Sequence, residues 1–163
     1  MVRLAEADDA QSIARIYNQA IAERIATFET DPRSTSDIVA LLHKKGDRYP
    51  TVVVEDGGQV VSFAWVSSYR DRPCYSGVGE HSVYADRAAR RGGAGTAALV
   101  ALCEEARRRG FWKLVSRIFV YNEPSRALHL KIGFREVGVY RRHAQLDGEW
   151  IDCVIVEKLL TET

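Results

Sequence analysis

Residues 90–95 read Arg-Arg-Gly-Gly-Ala-Gly and open onto an alanine-rich stretch. The spacing R-x-x-G-x-G suits the holding of a pyrophosphate. Glycines let successive amides turn toward an anion, and a helix starting there adds positive potential. An adjacent arginine supplies charge-assisted hydrogen bonds. A flexible glycine turn with no ligand is the competing reading of the loop alone. Gly93-Ala94-Gly95-Thr96-Ala97-Ala98 also fits the dinucleotide pattern G-x-G-x-x-A. That fingerprint belongs after the first strand of a βαβ unit, with an acidic residue about 20 positions on. Here about four strand-like segments come first, and residues 113–120 hold no acid. The dinucleotide reading fails on context.

The elements that must position the loop follow from periodicity and turn residues. Val2–Ala5 reads as a short strand. Asp8 or Asp9 then caps a helix in which Ala10, Ile13, Ile16, Tyr17, Ala20 and Ile21 recur at helical spacing. Residues 34–36 can cap a second helix through Ile38, Leu41 and Leu42. Two strands meet at Asp56-Gly57-Gly58, a hairpin signal, and residues 79–85 form the strand that feeds the glycine loop. A helix over 94–109 ends at Gly110, followed by a β-branched and aromatic strand over 111–120. Pro124 opens a helix that stops at Gly133, and strands over roughly 134–144 and 150–159 flank Asp147-Gly148. The order β-α-α-β-β-β-α-β-α-β-β predicts an α/β (α+β) chain. Its mixed sheet is antiparallel at first, with strand–helix–strand crossovers in its second half.

Composition narrows the class. At 163 residues, 46% of them hydrophobic, the chain suits a single domain over residues 1–163 with a real core. Lysine and arginine number 23 against 22 acidic residues, a net charge of +1. That balance speaks against a nucleic-acid or membrane-surface partner. The start, MVRLAEADDAQ, turns polar too early for a signal peptide, and no apolar run is long enough for a membrane helix. Cys74, Cys103 and Cys153 lie far apart with no C-x-x-C pair, so free thiols, a cytoplasmic location and no metal site are expected.

A larger pattern surrounds the loop. Strand, R-x-x-G-x-G, helix, strand and then Asn122-x-x-Ser125-x-x-x-His129-x-x-x-Gly133-Phe134 resemble the GNAT superfamily of N-acetyltransferases. Tyr17-Asn18, Thr27-Phe28-Glu29, Arg72-Pro73-Cys74-Tyr75, Glu80-His81-Ser82-Val83-Tyr84, Leu128-His129 and Gly148-Glu149-Trp150-Ile151-Asp152 resemble its phosphinothricin acetyltransferase branch. Ser116-Arg117-Ile118-Phe119, Arg141-Arg142-His143 and Leu146-Asp147-Gly148 are similar to the arsinothricin N-acetyltransferases within it. The resemblance spans almost the whole chain. It implies the GNAT fold: a mixed, mostly antiparallel sheet of six to seven strands with about four helices.

The resemblance also implies acetyl transfer from acetyl-CoA to the amino group of a small glutamate-like amino acid, and direct transfer is expected because no cysteine sits in a nucleophile constellation. Phosphinothricin, arsinothricin, and methionine sulfone or sulfoximine define that class. A homodimer is implied as well. Glu80 is then the expected base for the amine, and His129 stands where many members carry a proton-donating tyrosine. A salt-bridged Glu80 and a core-edge His129 are the plain alternatives. Val83, Tyr84 and Ala85, Arg90, Arg91, Gly92, Gly93, Ala94, Gly95 and Thr96, with Asn122 and Ser125, are the expected cofactor contacts. Asn122 also suits a helix cap. Arg72, with Arg70, is the expected anion receptor, and Phe28, Glu29, Tyr75 and His81 complete the substrate candidates. Arg142 and His143 are weaker ones. Two alternatives stay open: a protein N-terminal or lysine acetyltransferase, and a non-catalytic acyl-CoA sensor.

Overall fold

The computed structural model describes residues 1–161. Strand β1 (Val2–Leu4) leads through a short 3-10 turn (Ala7–Asp9) into helix α1 (Ala10–Glu23), and helix α2 (Thr35–Lys45) follows. Strands β2 (Thr51–Asp56), β3 (Gln59–Ser68) and β4 (Val78–Ala85) come next. Then come α3 (Ala94–Arg108), β5 (Lys113–Phe119), α4 (Glu123–Lys131), β6 (Arg135–Leu146) and β7 (Glu149–Leu159). The strands and helices appear in the order the sequence pattern predicts.

Local chemistry sets the helix ends. The Ser34 hydroxyl accepts from the Asp37 amide at 3.0 Å while the Asp37 carboxylate accepts from the Ser34 amide at 2.9 Å. This reciprocal box starts α2. The aspartate cap expected on α1 takes another form. Asp9 accepts from the Glu6 amide at 2.7 Å and from both Arg3 terminal nitrogens, at 2.8 and 2.9 Å. Its carboxylate thus ties β1 to the 3-10 turn, and α1 begins with no side-chain cap.

The sheet order is β1-β2-β3-β4-β5-β7-β6, and β4–β5 is its parallel pair. Alternation along the buried strands feeds two cores, one on each face. Val53, Phe63 and Trp65 meet Ile13, Ile16 and Ile38 of α1 and α2. Val52, Val54, Ala64 and Val66 meet Ala98, Leu99 and Leu102 of α3. The crossover β5–α4–β6 does not bring β6 beside β5, because β7 lies between them and pairs with both.

Three irregularities interrupt the ladders on this side of the sheet. The β4–β5 ladder runs Val78↔Lys113, Gly79↔Leu114 and Glu80↔Val115, then stops, although β4 continues to Ala85 and β5 to Phe119. The strands therefore fork beyond Glu80. Just past the last rung, the Ser116 hydroxyl donates to the His81 carbonyl at 2.9 Å. The β6–β7 ladder shifts register twice, between Glu136 and Gly138 and at a wider bulge in β6 between Tyr140 and Ala144.

Candidate active site

The fork opens into a cavity of about 680 Å³. Its walls are the diverging strands, Ser82–Ala85 of β4 and Ser116–Ile118 of β5. Gly93, Gly95 and Thr96 from the start of α3 join them, as do Ser125, Leu128 and His129 of α4. Gly93 has φ +86°, the left-handed region that glycine enters without strain. Gly95 is tight against α4: a β-carbon there would stand 3.2 Å from Leu128 Cδ1. No side chain caps the N-terminus of α3, so its first amides keep their donors and the positive end of the helix dipole. An anion is the natural partner for such a turn.

Electrostatics around the cavity are unevenly committed. Arg90 grips Glu23 of α1 through two bonds of 2.6 Å. That pair holds the Glu23 carboxyl below its ordinary range. Arg91 has φ +70° and is exposed on the cavity rim. On β5, Arg117 lines the cavity and its guanidinium holds the Glu80 carboxylate, with Nε 3.0 Å from Oε1. Arg117 NH1 also lies 3.2 Å from His143 Nε2, which the β6 bulge carries toward it.

Behind the cavity two imidazoles meet. His129 is 2% exposed and His81 1%. Their Nε2 atoms are 2.9 Å apart, and His129 Nδ1 is 2.7 Å from the Ser125 carbonyl. Burial pushes both rings below the ordinary histidine pKa, His81 strongly, so both are neutral at pH 7. The carbonyl can only accept, which puts the His129 proton on Nδ1. His129 Nε2 then accepts from His81 Nε2–H, and His81 Nδ1 is left without a partner.

Residues 13–134 match the acetyltransferase (GNAT) family. The chain belongs to that family. It is 30% identical to an L-methionine sulfoximine/L-methionine sulfone acetyltransferase of Pseudomonas aeruginosa, over 99% of this chain and 95% of the relative. The solved phosphinothricin acetyltransferase of Sinorhizobium meliloti, in complex with acetyl-CoA, superposes with a TM-score of 0.92 at 31% identity. That match covers 99% of this chain and 89% of the other. A ribosomal-protein-alanine N-acetyltransferase of Brucella melitensis superposes at 0.94 with 32% identity, covering 98% and 99%. The chain is thus an acetyltransferase whose relatives include the phosphinothricin branch.

Within this acetyltransferase, most of the expected cofactor contacts do gather at the cavity. Val83, Tyr84, Ala85, Arg90, Arg91, Gly93, Gly95, Thr96, Asn122 and Ser125 all line it. Gly92 instead sits in the preceding turn, its amide on the Ala89 carbonyl, and Ala94 packs toward the core. Asn122 serves as the cap of α4, accepting from the Ser125 amide at 3.3 Å.

The substrate candidates scatter. Arg72 lies over the Tyr75 ring and Arg70 over Tyr69, on a loop outside the cavity wall. Their cationic faces are turned to aromatics there. Phe28 packs on Phe119 at 4.7 Å between ring centres, and the exposed Glu29 pairs with Arg33 at 2.9 Å. His81 is corrected outright: strand alternation turns it into the core, between His129 and Phe134. His129 reaches the cavity wall, but the proton-donor role needs an N–H turned to the cavity. Both its nitrogens are engaged inside the protein. Arg90 is likewise engaged by Glu23, so the loop's anion affinity rests first on the α3 amides.

Ser82, Ser116, Arg117 and Glu23 are site residues that sequence reasoning did not select. Arg117 stood inside the Ser116–Phe119 motif without being singled out. Glu23 left no signal, since it meets Arg90 across 67 positions.

Proposed function

We propose that this acetyltransferase moves the acetyl group of acetyl-CoA directly onto the amino group of a small glutamate-like amino acid. Phosphinothricin, arsinothricin, methionine sulfone and methionine sulfoximine are the substrate class. The observation that carries the reading is the fork: two strands part beside an uncapped helix N-terminus, leaving a slot with an anion site at one side. The residues present fit acetyl-CoA. Gly93 and Gly95 leave the loop free of side chains, the α3 amides and Arg91 suit its phosphates, and Ser82–Ala85 with Ser116–Ile118 offer the slot for its arm. Acetyl-CoA supplies the activated thioester.

The chain's own part is to bind, orient and deprotonate. Glu80, the last residue of β4 paired with β5, accepts a proton from the substrate ammonium, which frees the nitrogen lone pair. The amine then replaces the thiolate at the carbonyl carbon, and the thiolate takes its proton from solvent. The His81–His129 pair backs the wall. The working unit is a homodimer joined through the β6 edge, where Val137, Val139 and Tyr140 are exposed. A cytoplasmic site of action accompanies this reading.

Free-thiol release from acetyl-CoA by purified protein tests it, with each amino acid supplied separately. Release with one of them, lost in Glu80→Gln with acetyl-CoA affinity retained, is the expected result. No release with any amino acid, but release with a peptide bearing an N-terminal alanine, would move the substrate class to proteins.

A further inference from the structure

The Glu80–Arg117 pair is a charge couple at the apex of the fork. Glu80 ends the β4–β5 ladder, and Arg117 lies two residues past its rung partner, Val115. Arg117 lines the cavity while Glu80 reaches it through Arg117. The other cations on the cavity wall are placed elsewhere. Arg90 is held by Glu23, Arg91 sits on the glycine loop, and Lys131 ends α4. Arg70 and Arg72 are stacked on tyrosines outside.

An α-amino acid carries an ammonium and a carboxylate on one carbon. A carboxylate and a guanidinium in contact match that spacing with opposite sign. Resting on the proposed reaction, we infer that Glu80 and Arg117 together form the receptor for the zwitterionic end of the substrate. Arg117 takes the α-carboxylate and Glu80 takes the α-ammonium. Binding exchanges one neutral pair for two, so no net charge enters the cavity. The planar guanidinium can hold a carboxylate through two parallel bonds. Its Glu80 contact is to one carboxylate oxygen, Oε1, an arrangement that a bidentate partner can displace.

The exchange also prepares the chemistry. While Arg117 holds Glu80 Oε1, that oxygen is occupied and is not open to an ammonium. Once Arg117 turns to the substrate carboxylate, Glu80 accepts one proton from the ammonium beside it. The amine lone pair is then free to form the new C–N bond, and the amide nitrogen keeps the single hydrogen left to it after a second proton leaves to solvent. His143, 3.2 Å from Arg117 NH1, holds the guanidinium in the apex through the change. Specificity follows: a free α-carboxylate is required, whatever the head group.

The test compares an amino acid with its α-carboxamide, which keeps the amine and head but loses the anion. Methionine sulfone and methionine sulfone amide are assayed with wild type, Arg117→Gln and Arg117→Lys at saturating acetyl-CoA. Wild type is expected to favour the acid. Arg117→Gln raises KM for the acid about 10- to 100-fold, the scale of hydrogen bonds to a charged group, and leaves KM for the amide nearly unchanged. Arg117→Lys, which keeps the charge without the fork, falls between. Melting temperatures show whether each variant is folded, and the lysine variant reads the effect if the glutamine variant is not. Equal losses on acid and amide, or no preference in wild type, overturn the receptor while the transfer reaction stands. Absence of thiol release by wild type with every amino acid removes the proposed reaction and the receptor with it.

Discussion

His81 Nε2 stands 2.9 Å from His129 Nε2, and this contact joins β4 to α4 directly behind the fork. With Ser125 accepting from Nδ1, neither His129 nitrogen has a proton to offer the cavity. A general acid in such a reaction is worth about 100-fold or more. His129→Asn is therefore expected to lower kcat by less than about 10-fold, read by thiol release. A loss beyond 100-fold at unchanged melting temperature would return the donor role to His129. His81→Ala strands the His129 lone pair and costs about 1–3 kcal/mol of stability, seen in denaturant unfolding.

Gly93 gives a cofactor-side counterpart. Its φ of +86° is strained for any residue with a β-carbon, by about 1 kcal/mol or more for alanine. Gly93→Ala distorts the turn that presents the α3 amides. Calorimetry is expected to show weaker acetyl-CoA binding, while kcat at saturation changes little. An unchanged Kd would move the anion site off this turn.

Lys45 supplies a pH dependence unrelated to the site. Its ammonium is buried, donating to the Val66 carbonyl at 2.6 Å and the Ser67 hydroxyl at 2.8 Å. Burial lowers its pKa from 10.5 to about 8. Between those values the unfolded chain binds more protons, so stability rises with pH across the window, on the order of 3 kcal/mol. Below about 8 both states are protonated and the slope ends. Cys103, pushed up to about 11 by burial, acts oppositely, destabilising the fold as pH climbs past the ordinary thiol value. Lys45→Met should flatten the rise. Chemical unfolding from pH 7.5 to 10.5, wild type minus variant, isolates the lysine.

The β6 edge makes the proposed dimer testable. Val139 and Tyr140 are about half exposed, at 52% and 50%, on a strand with one neighbour in the sheet. Val139→Lys with Tyr140→Asp is expected to yield monomers in sedimentation velocity. A wild-type protein that sediments as a monomer at micromolar concentration would remove the dimer from the reading.

Local signals carried the sequence analysis well where one short segment decides the outcome. Residues 90–96 make a turn that feeds a helix, Ser34 starts α2, and Asp147-Gly148 joins β6 to β7 because each depends on neighbours in sequence. Partners far apart in the chain were out of reach. Arg90 looked free for phosphate until α1 brought Glu23 to it. His81 looked like a substrate contact because alternation says only that it faces away from Glu80, and the residues that make its side the core, His129 and Phe134, come from far along the chain. Arg117 drew no notice beside Arg70 and Arg72 for the same reason. A loop arginine is conspicuous, whereas one at the parting of two strands is not.

The place of β7 between β5 and β6 has a consequence for how the chain is made. Every residue of the cavity wall is synthesised before β7, yet β5 lacks its antiparallel neighbour until residues 149–159 arrive. On the ribosome, the growing chain would expose the β5 edge and the inner side of β6 together, two strands with unpaired backbone and no partner yet available. The strand that forms one wall of the cavity, β5, keeps its opposite edge open until then, so its pairing with β7 comes late in the making of the fold.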